Sequence, residues 1–180
     1  MTTPTVPPPQ INLRWMLAHP AYVLALGLGS GLPRVAPGTW GTLLGWALFV
    51  VLNRFLSDGA WAAVIGVTFL LGAWAAQVTG QALGQPDSGH IVIDEIVAIW
   101  LVLWLLPQGV AQPVLWQAGA FAVFRFFDIT KPPPIRALDA RMKHGLGVML
   151  DDLLAALYTL ALFAVGVVAY RSFSDGNGLI

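Results

Sequence analysis

The sequence predicts an all-α fold, a polytopic membrane helical bundle of about five spans preceded by an N-terminal interfacial or re-entrant helix. Three observations carry that expectation. Of the 180 residues, 57% are hydrophobic and only 10% are charged, whereas soluble domains carry about a quarter charged residues. Mean hydropathy is +0.74, so too few polar side chains remain to coat a water-facing surface. Finally, the charge-free runs 59–86 and 153–170 exceed the about 10–14 residues of an ordinary buried helix, the first surpassing and the second approaching the about 20 that a bilayer requires.

Residues 1–12 are Pro/Thr-rich and carry no charge. They read as a disordered lead rather than a signal peptide, because no basic segment precedes an apolar stretch. A single membrane domain is expected over 13–171, with a tail at 172–180. Within the domain, Trp15 to Leu28 is apolar but contains Pro20 and runs into a glycine-rich segment, which suits a helix lying in or dipping into the interface. Spans are expected at 40–56, 60–83, 91–106, 113–128 and 151–170, the third and fourth separated by Pro107, Gln108 and Gly109. A soluble bundle with a very apolar core is the alternative, and the length of the runs weighs against it.

The basic residues orient the spans. Lys131, Arg136, Arg141 and Lys143 share the loop 129–150, with Arg125 just before it, and the positive-inside rule makes that loop cytoplasmic. Counting spans outward puts Arg14, Arg34 and the loop 84–90 on the same side and leaves only Arg54 and Arg171 outside. The acids, which the rule does not use, sort the same way. Asp94, Glu95, Asp128, Asp151 and Asp152 all fall at cytoplasmic ends of three spans, and only Asp58 and Asp175 fall outside.

Composition removes several chemistries. Net charge is zero, so no electrostatic footprint points to nucleic acid. Without cysteine there are no disulfides, thiolate metal sites or thiolate nucleophiles. What remains is a set of carboxylates in apolar surroundings, which are costly there and usually functional. Asp94-Glu95 interrupts an apolar run, although one acid at a helix start can serve as a cap. Asp151-Asp152 opens the last expected span, where the capping reading is stronger. Asp128 and Lys131 lie one turn apart, placed to pair or to face a phosphate together. The loop from Gly27 to Thr42 runs from glycines into a helix, an arrangement that offers amides and hydroxyls to an anion. It is not a P-loop. Hard acids without thiolates or paired histidines suit Mg2+ rather than zinc. Together these features suggest phosphate-ester chemistry on an anionic phospholipid headgroup at the cytoplasmic leaflet; nothing indicates an oligomeric state. A small cation transporter or channel is the rival reading, and it predicts acids spread through the bilayer depth.

Four segments in order resemble the phosphatidylglycerophosphatase A family of bacterial membrane phosphatases. They are Gly29-Ser30-Gly31-Leu32 with Ala36 to Thr42, Ile91 to Glu95, Phe124 to Arg136, and His144 to Asp152. The resemblance covers about residues 20–160. It implies an all-helical fold in the bacterial inner membrane, active site facing the cytoplasm. The implied reaction is magnesium-dependent removal of the terminal phosphate of phosphatidylglycerophosphate to give phosphatidylglycerol. On that basis Asp128, Asp94, Glu95 and Asp152 are expected to be catalytic, with water attacking phosphorus. Asp94, Glu95, Asp128, Asp151 and Asp152 are the expected metal ligands. Lys131, Arg125 and Arg136, with Thr39, Gly41 and Thr42, are expected to bind the substrate phosphate. Ala98 and Ala156 stand where glycine is common in the family, a change expected to affect packing alone. Histidine-based lipid phosphatases and CDP-alcohol transferases are set aside, since their motifs are missing.

Overall fold

A computed structural model describes residues 9–106 and 113–176. Most of the N-terminal lead, the Pro107–Gly109 break and the last four residues of the tail lie outside the described residues. Among those described there are eight α-helices, one short 3-10 segment and no strand. In chain order they are α1 Leu13–Met16, α2 Pro20–Ala25, the 3-10 segment Gly27–Gly29, α3 Pro37–Leu52, α4 Asp58–Leu83, α5 Ile93–Leu105, α6 Pro113–Thr130, α7 Ile135–Arg141 and α8 Gly145–Gly176.

The bundle is built around α5, which packs against α3, α4, α6 and α8. Every residue from Ile93 to Trp100 is buried, as are Val102 and Leu103. A helix apolar on all faces belongs inside, and neighbours rather than lipid enclose this one. It has 13 residues, hence a length of about 20 Å against a hydrocarbon core of about 30 Å. The apolar run at 91–106 is therefore a central core helix too short to cross a bilayer unaided. Only α4 and the 145–169 portion of α8 are long and apolar enough for that among the described residues. Both display exposed apolar side chains, including Leu70, Leu71 and Trp74 on α4 and Leu157, Leu162, Val165 and Val168 on α8.

Close packing of α3 on α5 depends on small residues at helical spacing. Gly38, Gly41, Thr42 and Gly45 are all buried. A Cβ at Gly45 would stand 2.6 Å from Ile99 Cγ2 and 3.2 Å from the Ile96 Cα, so the two backbones meet where only hydrogen fits. Trp100 Nε1 then donates to the Gly45 carbonyl at 2.8 Å. The methyls of Ala98 and Ala156 are wholly buried in the same core, consistent with a packing change alone.

Before the bundle, the stretch from Trp15 to Leu28 forms α1, α2 and the 3-10 segment rather than one helix. His19 caps α2 by accepting from the Ala21 amide, and Pro20 occupies its first position, where its missing N–H costs nothing. Met16, Ala21, Ala25 and Leu26 bury against the core, and α2 packs on α4. One end of the bundle collects the 84–92 loop, the 131–144 segment and the N-terminal loop. There His90 Nδ1 meets the Gly31 carbonyl at 2.6 Å, and Lys143 pairs with Asp87. Trp104 at the far end of α5 donates to Asp58, marking the opposite end.

Candidate metal and phosphate site

Three helices deliver carboxylates to the end of the bundle where the loops gather. Asp94 and Glu95 occupy the first turn of α5, Asp128 the last turn of α6 and Asp152 the second turn of α8. Oxygens of Asp94, Glu95 and Asp152 lie within 4.8 Å of one another. All three residues are at most 9% exposed. Glu95 Oε2 and Asp152 Oδ2 are buried without a hydrogen-bond partner. Buried carboxylate oxygens are normally satisfied, and orphaned ones facing like charges are relieved by a proton or by a bound cation. An all-oxygen donor set fits a hard divalent ion such as magnesium, so the three residues pass the test of fit for a metal that the sequence anticipates.

Asp128 and Asp151, expected beside them as ligands, are engaged by cations. Arg125 Nη1 donates to Asp128 Oδ2 at 2.5 Å and reaches Glu95 Oε1 at 3.5 Å. Asp128 also stands within hydrogen-bonding reach of Asp152, so it borders the trio without joining it. Lys131 Nζ donates to Asp151 Oδ2 at 2.5 Å and pairs with Asp139 Oδ2 at 3.4 Å. Of the two arrangements open to Asp128 and Lys131, direct pairing is not the one seen: each has a partner of its own. The reason is local: α6 ends at Thr130, and Lys131 adopts a left-handed backbone (φ 41°). That turn takes its side chain off the helix face that carries Asp128 and toward α8.

The last helix starts earlier than its apolar run suggests. Because α8 begins at Gly145, Asp151 and Asp152 lie a turn and a half inside it, with backbone amides already bonded in the helix. Capping thus no longer accounts for this pair. His144 takes that role, its Nδ1 accepting from the Gly147 amide at 3.4 Å. Asp94 does not cap α5, whose N-cap position is Val92 without a side-chain cap bond; its Oδ1 accepts from the Glu95 amide at 3.1 Å within the first turn, and the residue belongs to the trio.

The glycine loop reaches the site through a residue other than the expected ones. Gly38, at the start of α3, lies so close that a Cβ there would collide with Glu95 Oε1 and stand 3.0 Å from both Nη atoms of Arg125. Gly41 instead packs on Val92, whose Cβ would be 2.6 Å from an added methyl. The Thr42 hydroxyl donates to the Gly38 carbonyl at 2.8 Å and is fully buried, which commits its proton to the helix. Thr39 is half-buried beside Gly38. Arg136 is exposed on α7 and makes no ion pair among the described residues. Gly38 stood in the sequence motif, but nothing in its residue type distinguished its packing from that of Gly41.

A second layer of charge flanks the trio. Asp139 pairs with Lys143 at 2.8 Å as well as with Lys131, and Lys143 reaches Asp87 at 3.3 Å. Burial opposes the charge on Lys131, but Asp151 and, behind it, Asp139 and Asp87 hold its ammonium well above the usual lysine range. Asp139 is held below the usual carboxylate range: partial burial works against this, and Lys143 and Lys131 outweigh it.

Buried acids at one level, bordered by an arginine and a lysine, are suited to an anion held against a cation. The profile of the phosphatidylglycerophosphatase A family matches residues 23–167. The chain belongs to the phosphatidylglycerophosphatase A family. Among curated relatives, phosphatidylglycerophosphatase A of Haemophilus influenzae is 44% identical over 150 residues, 83% of this chain and 90% of the relative. The protein of the same name in Escherichia coli is 35% identical over 144 residues, 80% of this chain and 81% of the relative. A Bacteroides thetaiotaomicron relative, provisionally named as a phosphatidylinositol-3-phosphatase, is 37% identical over 148 residues, 79% of this chain and 91% of the relative. No solved structure matches the chain. As an enzyme of the phosphatidylglycerophosphatase A family, the chain shares its ancestry with phosphatases, and the transporter reading finds no support. The acids of the site likewise crowd one end of the bundle rather than lining its depth, with Asp58 at the other end.

Proposed function

We propose that the chain is a magnesium-dependent phosphatase that removes the terminal phosphate of phosphatidylglycerophosphate to give phosphatidylglycerol. The observation that carries this reading is the buried trio Asp94, Glu95 and Asp152 with its orphaned oxygens, set beside Arg125 and Lys131. The named activities of the relatives in Haemophilus influenzae and Escherichia coli supply the substrate. When bound, magnesium would supply Lewis-acid polarisation and neutralise phosphate charge.

The chain's own residues divide the remaining work. Asp94, Glu95 and Asp152 would hold the ion, while Arg125 and Lys131 face the phosphate oxygens and offset the charge that accumulates as the ester breaks. The first turn of α3 at Gly38 lies against the same guanidinium and offers the Gly38 amide to a phosphate oxygen, the Thr39 amide being taken by the Ala36 carbonyl. Asp128, paired with Arg125, takes a proton from the attacking water. Oxygen of that water bonds to phosphorus, the bond from phosphorus to the glycerol oxygen breaks, and the alkoxide regains a proton from solvent.

The membrane reading extends the same argument. With α4 and α8 crossing fully and the shorter α3, α5 and α6 packed among them, we infer a multi-pass bundle of about five hydrophobic helices in the bacterial inner membrane. The basic residues at the loop-rich end favour the cytoplasm for the site. Phosphate release by the purified chain, measured with and without magnesium on phosphatidylglycerophosphate, phosphatidate and lysophosphatidate, tests the proposal. Release should depend on magnesium, favour the first lipid and vanish in Asp128→Asn at undiminished expression. Equal release on all three lipids would remove the specificity, full activity in chelator would remove the metal, and a labelled phospho-aspartate trapped at Asp128 would replace water attack with a covalent route.

A further inference from the structure

Outside the trio, a file of alternating charges runs along the rim of the site: Asp87, Lys143, Asp139, Lys131 and Asp151. It joins the 84–92 loop, α7 and α8, and the reaction outlined above uses only Lys131. We propose that Asp139 is a positioning residue for this enzyme. It tethers the Lys131 ammonium at the rim so that one N–H stays available to a phosphate monoester, and Lys143 with Asp87 holds Asp139 in turn. The proposal rests on reading Lys131 as a phosphate contact.

The geometry requires such a tether. A lysine ammonium is a compact point charge on a flexible stem, with three donors. Asp151, 4% exposed and rooted in α8, draws Nζ inward at 2.5 Å. With no second acceptor, the ammonium would settle wholly on Asp151 and turn from an arriving anion. Asp139, on α7 at the opposite side, takes a second donor at 3.4 Å, which leaves the third free. The left-handed backbone at Lys131 points the same way, since a non-glycine residue keeps that conformation only where its surroundings hold it. Asp139 is itself fixed by Lys143 at 2.8 Å, and Lys143 by Asp87 at 3.3 Å. The outer pair therefore ties the tether to the loop that leads into Asp94. Exposed ion pairs usually contribute little to stability, so a purely structural role for this file would leave anion affinity untouched.

That difference gives the test. Affinity of the full chain in detergent for inorganic phosphate, with magnesium present, is measured by calorimetry, a readout that needs no turnover. Asp139→Asn should weaken phosphate binding about three- to fivefold, Asp139→Glu should restore most of it, and Lys143→Gln should cost about twofold. On a Lys131→Gln background, Asp139→Asn should add nothing. Unchanged affinity in Asp139→Asn and Lys143→Gln, or the same added loss without Lys131, would overturn the proposal; so would absence of any phosphate binding by the unaltered chain. If Asp139→Asn fails to fold, Lys143→Gln and Asp139→Glu decide it. Phosphate binding without lipid turnover would sink the hydrolase reading and leave the tether standing.

Discussion

Replacing Asp152 by asparagine should raise stability in the absence of magnesium and lower it in its presence. Asp152 is 3% exposed, and its carboxylate shares a space under 4.8 Å across with those of Asp94 and Glu95. Two unit charges at that separation repel by about 3.5 kcal/mol at an effective dielectric constant of about 20. Asp152 enters two of the three pairs, so the gross relief from Asp152→Asn is about 7 kcal/mol. Arg125, Lys131 and side-chain relaxation already offset most of this, and asparagine forfeits some hydrogen bonding. The expected net gain in chelator is about 2 kcal/mol, or about 4–8 °C in the unfolding midpoint for a chain of this size. Magnesium reverses the order. At about 100 times its dissociation constant, a ligand bound only by the folded state adds about 2.7 kcal/mol, and the variant, missing one of three ligands, should gain little. Thermal unfolding in detergent followed by circular dichroism, with chelator and then with excess magnesium, gives all four midpoints. If Asp152→Asn is the less stable protein in chelator and magnesium moves neither midpoint, the three acids do not form a cation site, and the reasoning from their orphaned oxygens fails.

Gly38→Ala should cut turnover by at least tenfold while the helices persist. Its methyl would overlap Glu95 Oε1 and press on Arg125, and overpacking of this kind costs about 1–3 kcal/mol; steady-state kinetics beside circular dichroism would separate the loss of activity from unfolding. The rim should also respond to pH at both extremes. Asp139 titrates below its ordinary value, so its contribution is complete above the unfolded pKa of about 3.9 and disappears as the pH falls through the folded value. Lys131 and Lys143 titrate above theirs, so their contribution is complete below about 10.4 and is lost as the pH rises further. The stability difference between the unaltered chain and Asp139→Asn should accordingly be constant from about pH 5 to 10 and shrink in acid; unfolding midpoints across that range would expose a sign error as a difference that grows on acidification.

Much of this protein is legible along the chain because hydropathy and charge are properties of local composition. Apolar runs located α3, α4, α5 and α6 to within about four residues but fell short of α8 at both ends, and the basic loops placed the acids of three helices at one end. The candidate carboxylates were visible as costly residues in apolar surroundings, and the ordered motifs named the family. Spacing did not reveal partnership. Asp128 is taken by Arg125 one turn before it on α6, and Lys131, turned off the end of that helix, finds Asp151 on α8. A helix start is likewise hard to read when the flanking segment, here Gly145 to Leu150, carries two glycines that disfavour a helix on propensity and is admitted by packing, Gly145 lying against Ala73 and Gln77 of α4; the early start of α8 moved Asp151 and Asp152 from a cap into the interior. Apolarity alone cannot separate a helix bathed in lipid from one enclosed by other helices, so α5 reads as a span until its neighbours are seen. Gly38 and Gly41 differ only in what faces them, Glu95 and Arg125 in one case and Val92 in the other. Sequence alone therefore determined which chemical groups are present and at which end of the bundle they gather. Only tertiary structure decided their partners, because partnership depends on distances between helices that no local pattern encodes.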